Sequence, residues 1–309
     1  VAVVYVFFMI SGAALFRRYR DRNSFSLISY YKRRIGSLYP LFYIAYVLGF
    51  MYVFWVRGSM YSYVPTRAFL WTILGLDGYL NSIVPTFTMV GEWFLGAIII
   101  VYALFPLVYH VVMKKDEGMD PRRSLMLMAL LFCGTLAVYI FHPLKLIEIK
   151  ADPVVDLSFF LLGACISELW GERLAYGGLR IPGLLVSGLM LLAWCFIKLP
   201  FGTALSTDGL PLYLTESVAA VCIFVFMTAL SGYLEALPTL KRIIGRASGY
   251  TYGVFLIHHL VESQICAHFD TAAFSRRDTA ILLMLCLLAV IIFTALIYRI
   301  RDILGRMLS

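Results

Sequence analysis

"AFLWTILGLDGYLNSIVP", residues 68–85, is the stretch whose reading decides how this chain is folded. It is apolar and nearly long enough to cross a bilayer as a helix. It also carries Asp77, Gly78, Asn81 and Pro85, which a spanning helix tolerates poorly. If it crosses, every later loop changes side. The rest of the chain makes the question pressing. Of its 309 residues 61% are hydrophobic and 14% charged, against about 25% charged in a soluble domain. The composition implies an all-α, polytopic membrane helix bundle, because helices satisfy their own backbone in lipid.

Apolar runs predict nine spans, near 1–16, 38–56, 92–113, 124–141, 154–170, 182–200, 213–235, 249–268 and 280–298. Loop charge then settles residues 68–85. If that segment stays on one face, one side of the membrane holds Arg17, Arg18, Arg20, Arg22, Lys32, Arg33, Arg34, Lys114, Lys115, Arg122, Arg123, Arg173, Arg180, Lys241, Arg242, Arg246, Arg299, Arg301 and Arg306. These are 19 of the 26 cations. The other side holds Arg57, Arg67, Lys145, Lys150, Lys198, Arg276 and Arg277. A crossing would move the 114–123 cluster and weaken the bias. The segment is therefore expected to be re-entrant or interfacial on the outer face. The polybasic side, with the C-terminus, is expected to be cytoplasmic. The first span then runs from outside to inside. A preceding helix would give ten spans, with residues 1–309 forming a single integral-membrane domain that lacks its first helix.

The net charge of +8 needs no nucleic acid, since the basic residues sit between apolar runs. The six cysteines are scattered and have no CxxC spacing, so they read as packing residues. No HExxH-like spacing is present, and no metal site is expected.

Three groups of residues could carry chemistry. Residues 17–34 hold seven cations, more than orientation requires. They read either as a topology signal on anionic membrane lipids or as a phosphate-binding surface for a soluble anionic donor. Arginine suits phosphate through its planar, charge-assisted fork. His258 and His259 lie within a span, with Glu262 at i+4 and i+3 respectively. One histidine could be a general base oriented by the carboxylate, or the group could be an interhelical polar contact. On the outer side Asp77, Glu92, Asp152, Asp156, Glu216 and Glu262 could accept bonds from sugar hydroxyls. Helix N-termini account equally for Asp152, Asp156 and Glu216. Gly91 and Gly96 read as sites of close helix approach, and Ser11 and Gly12 as small packing residues.

Taken in order, "FFMISGAALF", "YYKRRIGSLYPLFYIAY", "LGLDGYL", "GEWFLGAIIIVYALFPLVY", "FFLLGACISE" and "YTYGVFLIHHLV" resemble the acyltransferase family 3 proteins. These are membrane-bound acyltransferases of bacterial cell-surface modification. The resemblance implies ten core helices in the cell membrane and acetyl-CoA (or another acyl-CoA) as cytoplasmic co-substrate. It also implies O-acylation of a carbohydrate or lipid-linked glycan. Arg17, Arg18, Lys32, Arg33 and Arg34 would hold the donor, and Asp77 and Glu92 would face the acceptor. The catalytic candidates are His258, His259 and Glu262. Of the family's two arginines before the proline at Pro40, the first matches Arg34 and the second falls on Ser37. The family's first helix, carrying an Arg and the presumed His base, has no counterpart in these 309 residues. The competing expectation is a transporter or flippase for a glycan or anionic substrate, against which stands the lack of an internal repeat.

Overall fold

The computed structural model describes residues 2–20, 25–58, 64–87, 90, 92–114, 118–141, 151–201, 210–270 and 274–307. Of the cations counted above, Arg22, Lys115, Lys145 and Lys150 lie outside them. The described chain is an all-α helix bundle with one two-residue hairpin pair, β1 (Met113–Lys114) and β2 (Gly118–Met119). The helices are α1 (Ala2–Tyr19), α2 (Leu27–Arg57), α3 (Phe69–Ile73), α4 (Asp77–Leu80), α5 (Glu92–Val112), α6 (Pro121–Phe141) and α7 (Pro153–Cys165). They continue as α8 (Gly171–Ala175), α9 (Arg180–Phe201), α10 (Leu210–Leu234), α11 (Pro238–Ser248), α12 (Thr251–Cys266) and α13 (Arg276–Met307).

All nine expected spans fall on helices. Among the described residues, seven helical stretches are long and apolar enough to cross a membrane: Ala2–Tyr19, Leu27–Val56, Trp93–Val112, Pro121–Phe141, Pro153–Ala175, Tyr213–Leu234 and Arg276–Met307. The other two are shorter: the apolar stretch Arg180–Phe196 of α9, and α12 at 16 residues. The latter is roughly 24 Å long at 1.5 Å per residue.

Residues 68–85 form no span. They break into a short 3-10 turn (Thr66–Ala68), α3 and α4, too short to cross. Tyrosines of α2 hold this segment. Tyr39 and Tyr43 donate to the carbonyls of Leu74 (2.8 Å) and Ile73 (2.7 Å), and the Tyr46 hydroxyl lies 3.2 Å from Thr72 Oγ1. Those carbonyls end α3, where no later turn can satisfy them. The tyrosines recur at i, i+4 and i+7, so one face of α2 does the work. Gly75 then turns the chain at a φ of 70°.

The basic stretch is more helical than a loop. The α2 helix starts at Leu27, so Lys32, Arg33 and Arg34 stand on it rather than before it. The helix has 31 residues, roughly 46 Å, longer than the ~30 Å apolar core of a bilayer.

The chain forms two compact units, Val1–Leu27 with Ala97–Lys241, and Ile28–Gly96 with Arg242–Ser309. In the first, α1 and α7 touch backbone to backbone. A Cβ on Gly12 would lie 1.9 Å from the Phe160 carbonyl oxygen, and one on Gly163 would lie 2.2 Å from that of Met9. Small residues admit this approach, which lipid itself does not drive. Around the crossing Phe16 meets Phe105 edge-on at 5.3 Å, and Tyr5 stacks on Phe159 at 4.0 Å. In the second unit a Cβ on Gly96 would lie 2.4 Å from that of Tyr79, which brings the start of α5 against α4.

Candidate functional site

The second unit carries a cationic turn and a histidine helix on elements that meet. Within α2, Lys32 is exposed while Arg33 and Arg34 are half-buried. Helix electrostatics give no reason for three cations near an N-terminus, where negative charge is favoured. The Ser37 hydroxyl donates to the Arg34 carbonyl at 2.9 Å. At the start of α12, Tyr252 donates to the Leu38 carbonyl at 3.1 Å, one turn beyond Arg34. The first turn of α12 is thus tied to α2 beside the cations. Gly253 packs α12 against α13, since a Cβ there would meet the Tyr298 ring at 2.5 Å.

Six residues on from Tyr252 is His258. Its Nδ1 lies 2.7 Å from the Phe255 carbonyl. A carbonyl can only accept, so Nδ1 carries a proton, and in the neutral ring Nε2 presents the lone pair. His259, not His258, makes the closer approach to the carboxylate: its Nδ1 is 3.8 Å from Glu262 Oε2. Their side chains are 54% and 56% exposed. Charge facing lipid in a spanning segment is costly, so this face suits water or a polar ligand. The two imidazoles lie 4.3 Å apart. Phe255 packs edge-on against Phe94 of α5 at 4.8 Å, fixing the turn that holds His258.

Asp77 opens α4 and is 1% exposed. Its Oδ2 has no hydrogen-bond partner among the described residues. Burial pushes its acid up to about 6, while the backbone N–H groups of Gly78 and Asp77 itself pull the other way. Thr86 donates to the Asp77 carbonyl at 2.7 Å and so closes the segment. Glu92 begins α5; its side chain lies outside what the structure describes.

In the first unit Arg17 and Arg18 are exposed on the last turn of α1, where cations suit the helix dipole. Arg20 pairs with Glu168 at 3.5 Å, and Arg180 lies 3.6 Å over the Tyr233 ring. Tyr176 donates to Glu235, which holds its phenol proton more tightly than usual.

This unit also buries a polar group that sequence reasoning assigned to helix ends. Asp152 does cap α7, accepting from Val154 N at 2.9 Å. Asp156, in the first turn, is 0% exposed, and neither carboxylate oxygen has a hydrogen-bond partner among the described residues. Glu216 is not terminal. It lies two turns into α10, and its Oε2 accepts from the Ala2 N–H at 2.9 Å. Tyr5, which shares a side-chain hydrogen bond with Tyr139, and Tyr213, stacked on Tyr139 at 3.7 Å, complete the group. Three tyrosines inside spans were the available signal, since a buried phenol seeks a partner. Among the described residues no group of three metal-ligating side chains could hold a metal ion.

The sequence model of a family described as an acyltransferase domain matches residues 2–299. No curated protein and no solved structure matches the chain.

Proposed function

Since the chain belongs to this acyltransferase family, we propose that it is a membrane-bound O-acyltransferase that takes its acyl group from acyl-CoA. The acceptor is a hydroxyl of a carbohydrate or lipid-linked glycan. The cation-rich helix ends and the C-terminus lie on the cytoplasmic side of the cell membrane, where the donor is.

The observation that carries the reading is the tie between Tyr252 and Leu38. It joins the helix that carries Lys32, Arg33 and Arg34 to the helix that carries His258 within one unit, which supports reading the first as the phosphate grip and the second as the base. Arg34, with Lys32 and Arg33, grips the donor's phosphates through charge-assisted bonds. His258 Nε2 takes the proton of the acceptor hydroxyl as general base. The oxygen attacks the thioester carbonyl, the C–S bond breaks, and the coenzyme leaves as a thiolate that recovers the proton from the imidazolium. His259 and Glu262, on the polar face beside His258, and the buried Asp77 are the groups for the acceptor's hydroxyls.

The test uses membranes containing the chain, given acetyl-CoA and a glycan extract, with release of coenzyme thiol as the readout. His258→Gln should cut the rate 100-fold or more and leave coenzyme affinity unaltered. Arg34→Gln should weaken coenzyme A binding about tenfold or more. A fully active His258→Gln removes the base from this residue. Tracer flux of a glycan through liposomes, with no thiol released, would favour transport instead.

A further inference from the structure

The second unit contains an almost wholly apolar cavity of about 240 Å³ between α2, α12 and α13. From α2 it is lined by Ala45, Leu48, Gly49 and Tyr52, from α12 by Ile257, Leu260, Val261, Gln264 and Ile265, and just past α12 by His268. On both helices the lining residues follow the Tyr252–Leu38 bond in sequence, so α2 and α12 run parallel here.

The cavity is in line with the groups assigned to the donor. Arg34 precedes Ala45 by 11 residues. At 100° per residue that is three full turns plus about 20°, so Arg34 stands on the cavity face of α2, roughly 16 Å below its near end. On α12 the near end is Ile257, and His258 lies about 100° round from it, at the edge of the apolar face. Cations, imidazole and apolar slot therefore follow one another along one axis. An extended phosphopantetheine arm fits the first interval. What continues past the imidazole is the acyl chain.

We infer that this slot holds the acyl chain of the donor, and that the enzyme prefers a medium-length chain to acetyl. The inference rests on the acyl-CoA reading above. The size follows from volume: a dry cavity of about 150 Å³ takes a benzene ring, so 240 Å³ takes roughly ten carbons. Gln264 and His268 line the end of the slot furthest from Arg34, where a longer chain meets polar groups.

The experiment measures competition of CoA, acetyl-, butanoyl-, octanoyl- and palmitoyl-CoA for the full chain in lipid nanodiscs, with empty nanodiscs subtracting partition into lipid. Affinity should rise about fourfold per methylene, then stop rising between eight and twelve carbons. Gly49→Leu should lower the octanoyl-to-acetyl affinity ratio tenfold or more. The chain-length series on the unaltered protein decides the matter if that variant does not fold. Equal affinity for CoA and every acyl-CoA overturns the slot and leaves the donor reading standing. Failure of CoA itself to bind overturns the donor reading. A phospholipid that co-purifies with the unaltered chain but not with Gly49→Leu, without any chain-length preference, makes the slot a lipid-tail site and overturns the inference.

Discussion

Asp77 shows how a single buried acid separates stability from function. Its carboxyl is raised to about 6 by burial, from 3.8. The folded state thus binds more protons than the unfolded one between those two values. Stability tied to this group is fully present below about pH 4, falls as pH rises toward 6, and is level above it. The shift corresponds to about 3 kcal/mol. Asp77→Asn should therefore raise the unfolding temperature at pH 7 and flatten its slope between pH 4 and 6, measured by thermal unfolding in nanodiscs. If Asp77 also serves the acceptor, transfer to the glycan should fall at the same time. A variant that gains no stability at pH 7 would mean that the carboxylate is better solvated than its burial indicates. The sequence singled out Asp77, because an acid in an apolar segment stands out. Its burial was not legible. That comes from α4 lying against the start of α5 at Gly96, a contact far from Asp77 in sequence terms.

At the scale of elements, two glycines of similar helical setting should behave oppositely. A Cβ on Gly12 meets the Phe160 carbonyl oxygen at 1.9 Å, so Gly12→Ala must push α1 off α7. Overpacking of this kind costs about 1–3 kcal/mol. Gly36, within α2, has nothing within 4 Å of its would-be Cβ, so Gly36→Ala should stabilise by up to about 1 kcal/mol through helix propensity. Urea or thermal unfolding of both variants checks the pair, and equal responses would contradict the α1–α7 crossing. Hydropathy located these helices but misplaced some ends. The apolar window stops where Lys32 to Arg34 begin, yet the helix runs back to Leu27. Gly36 apart, residues 27–37 contain no helix-weakening glycine or proline, and a helix needs no lipid once past the headgroups. Glu216 was misread for the same reason. Its helix starts at Leu210, and the carboxylate serves the Ala2 amide rather than its own N-terminus. The Asp156–Tyr5–Tyr139–Tyr213 group was legible only as separate intramembrane tyrosines, because it joins α1, α6, α7 and α10, and no single stretch of sequence contains it.

Across the whole molecule the cation distribution makes a claim about sidedness. The reading of residues 68–85 as non-crossing fits their division into α3 and α4. With that segment on one face, Arg18, Arg246 and Arg306 are expected to share a side, with Ser275, at the other end of α13 from Arg306, opposite. Single cysteines at these four positions, in a background whose six native cysteines are replaced, should label in two classes. In intact cells a membrane-impermeant maleimide should reach Ser275→Cys alone, and Arg18→Cys, Arg246→Cys and Arg306→Cys only after the membrane is opened. The physical basis is the excess of Lys and Arg retained on the cytoplasmic side during insertion. Labelling of Arg18→Cys and Arg306→Cys in different classes would require one more or one fewer crossing between them. It would also place the Arg34 turn on the side away from cytoplasmic acyl-CoA whenever Arg18→Cys is the one reached from outside. External labelling of Arg18→Cys would therefore overturn sidedness and the donor reading together, independently of any acceptor.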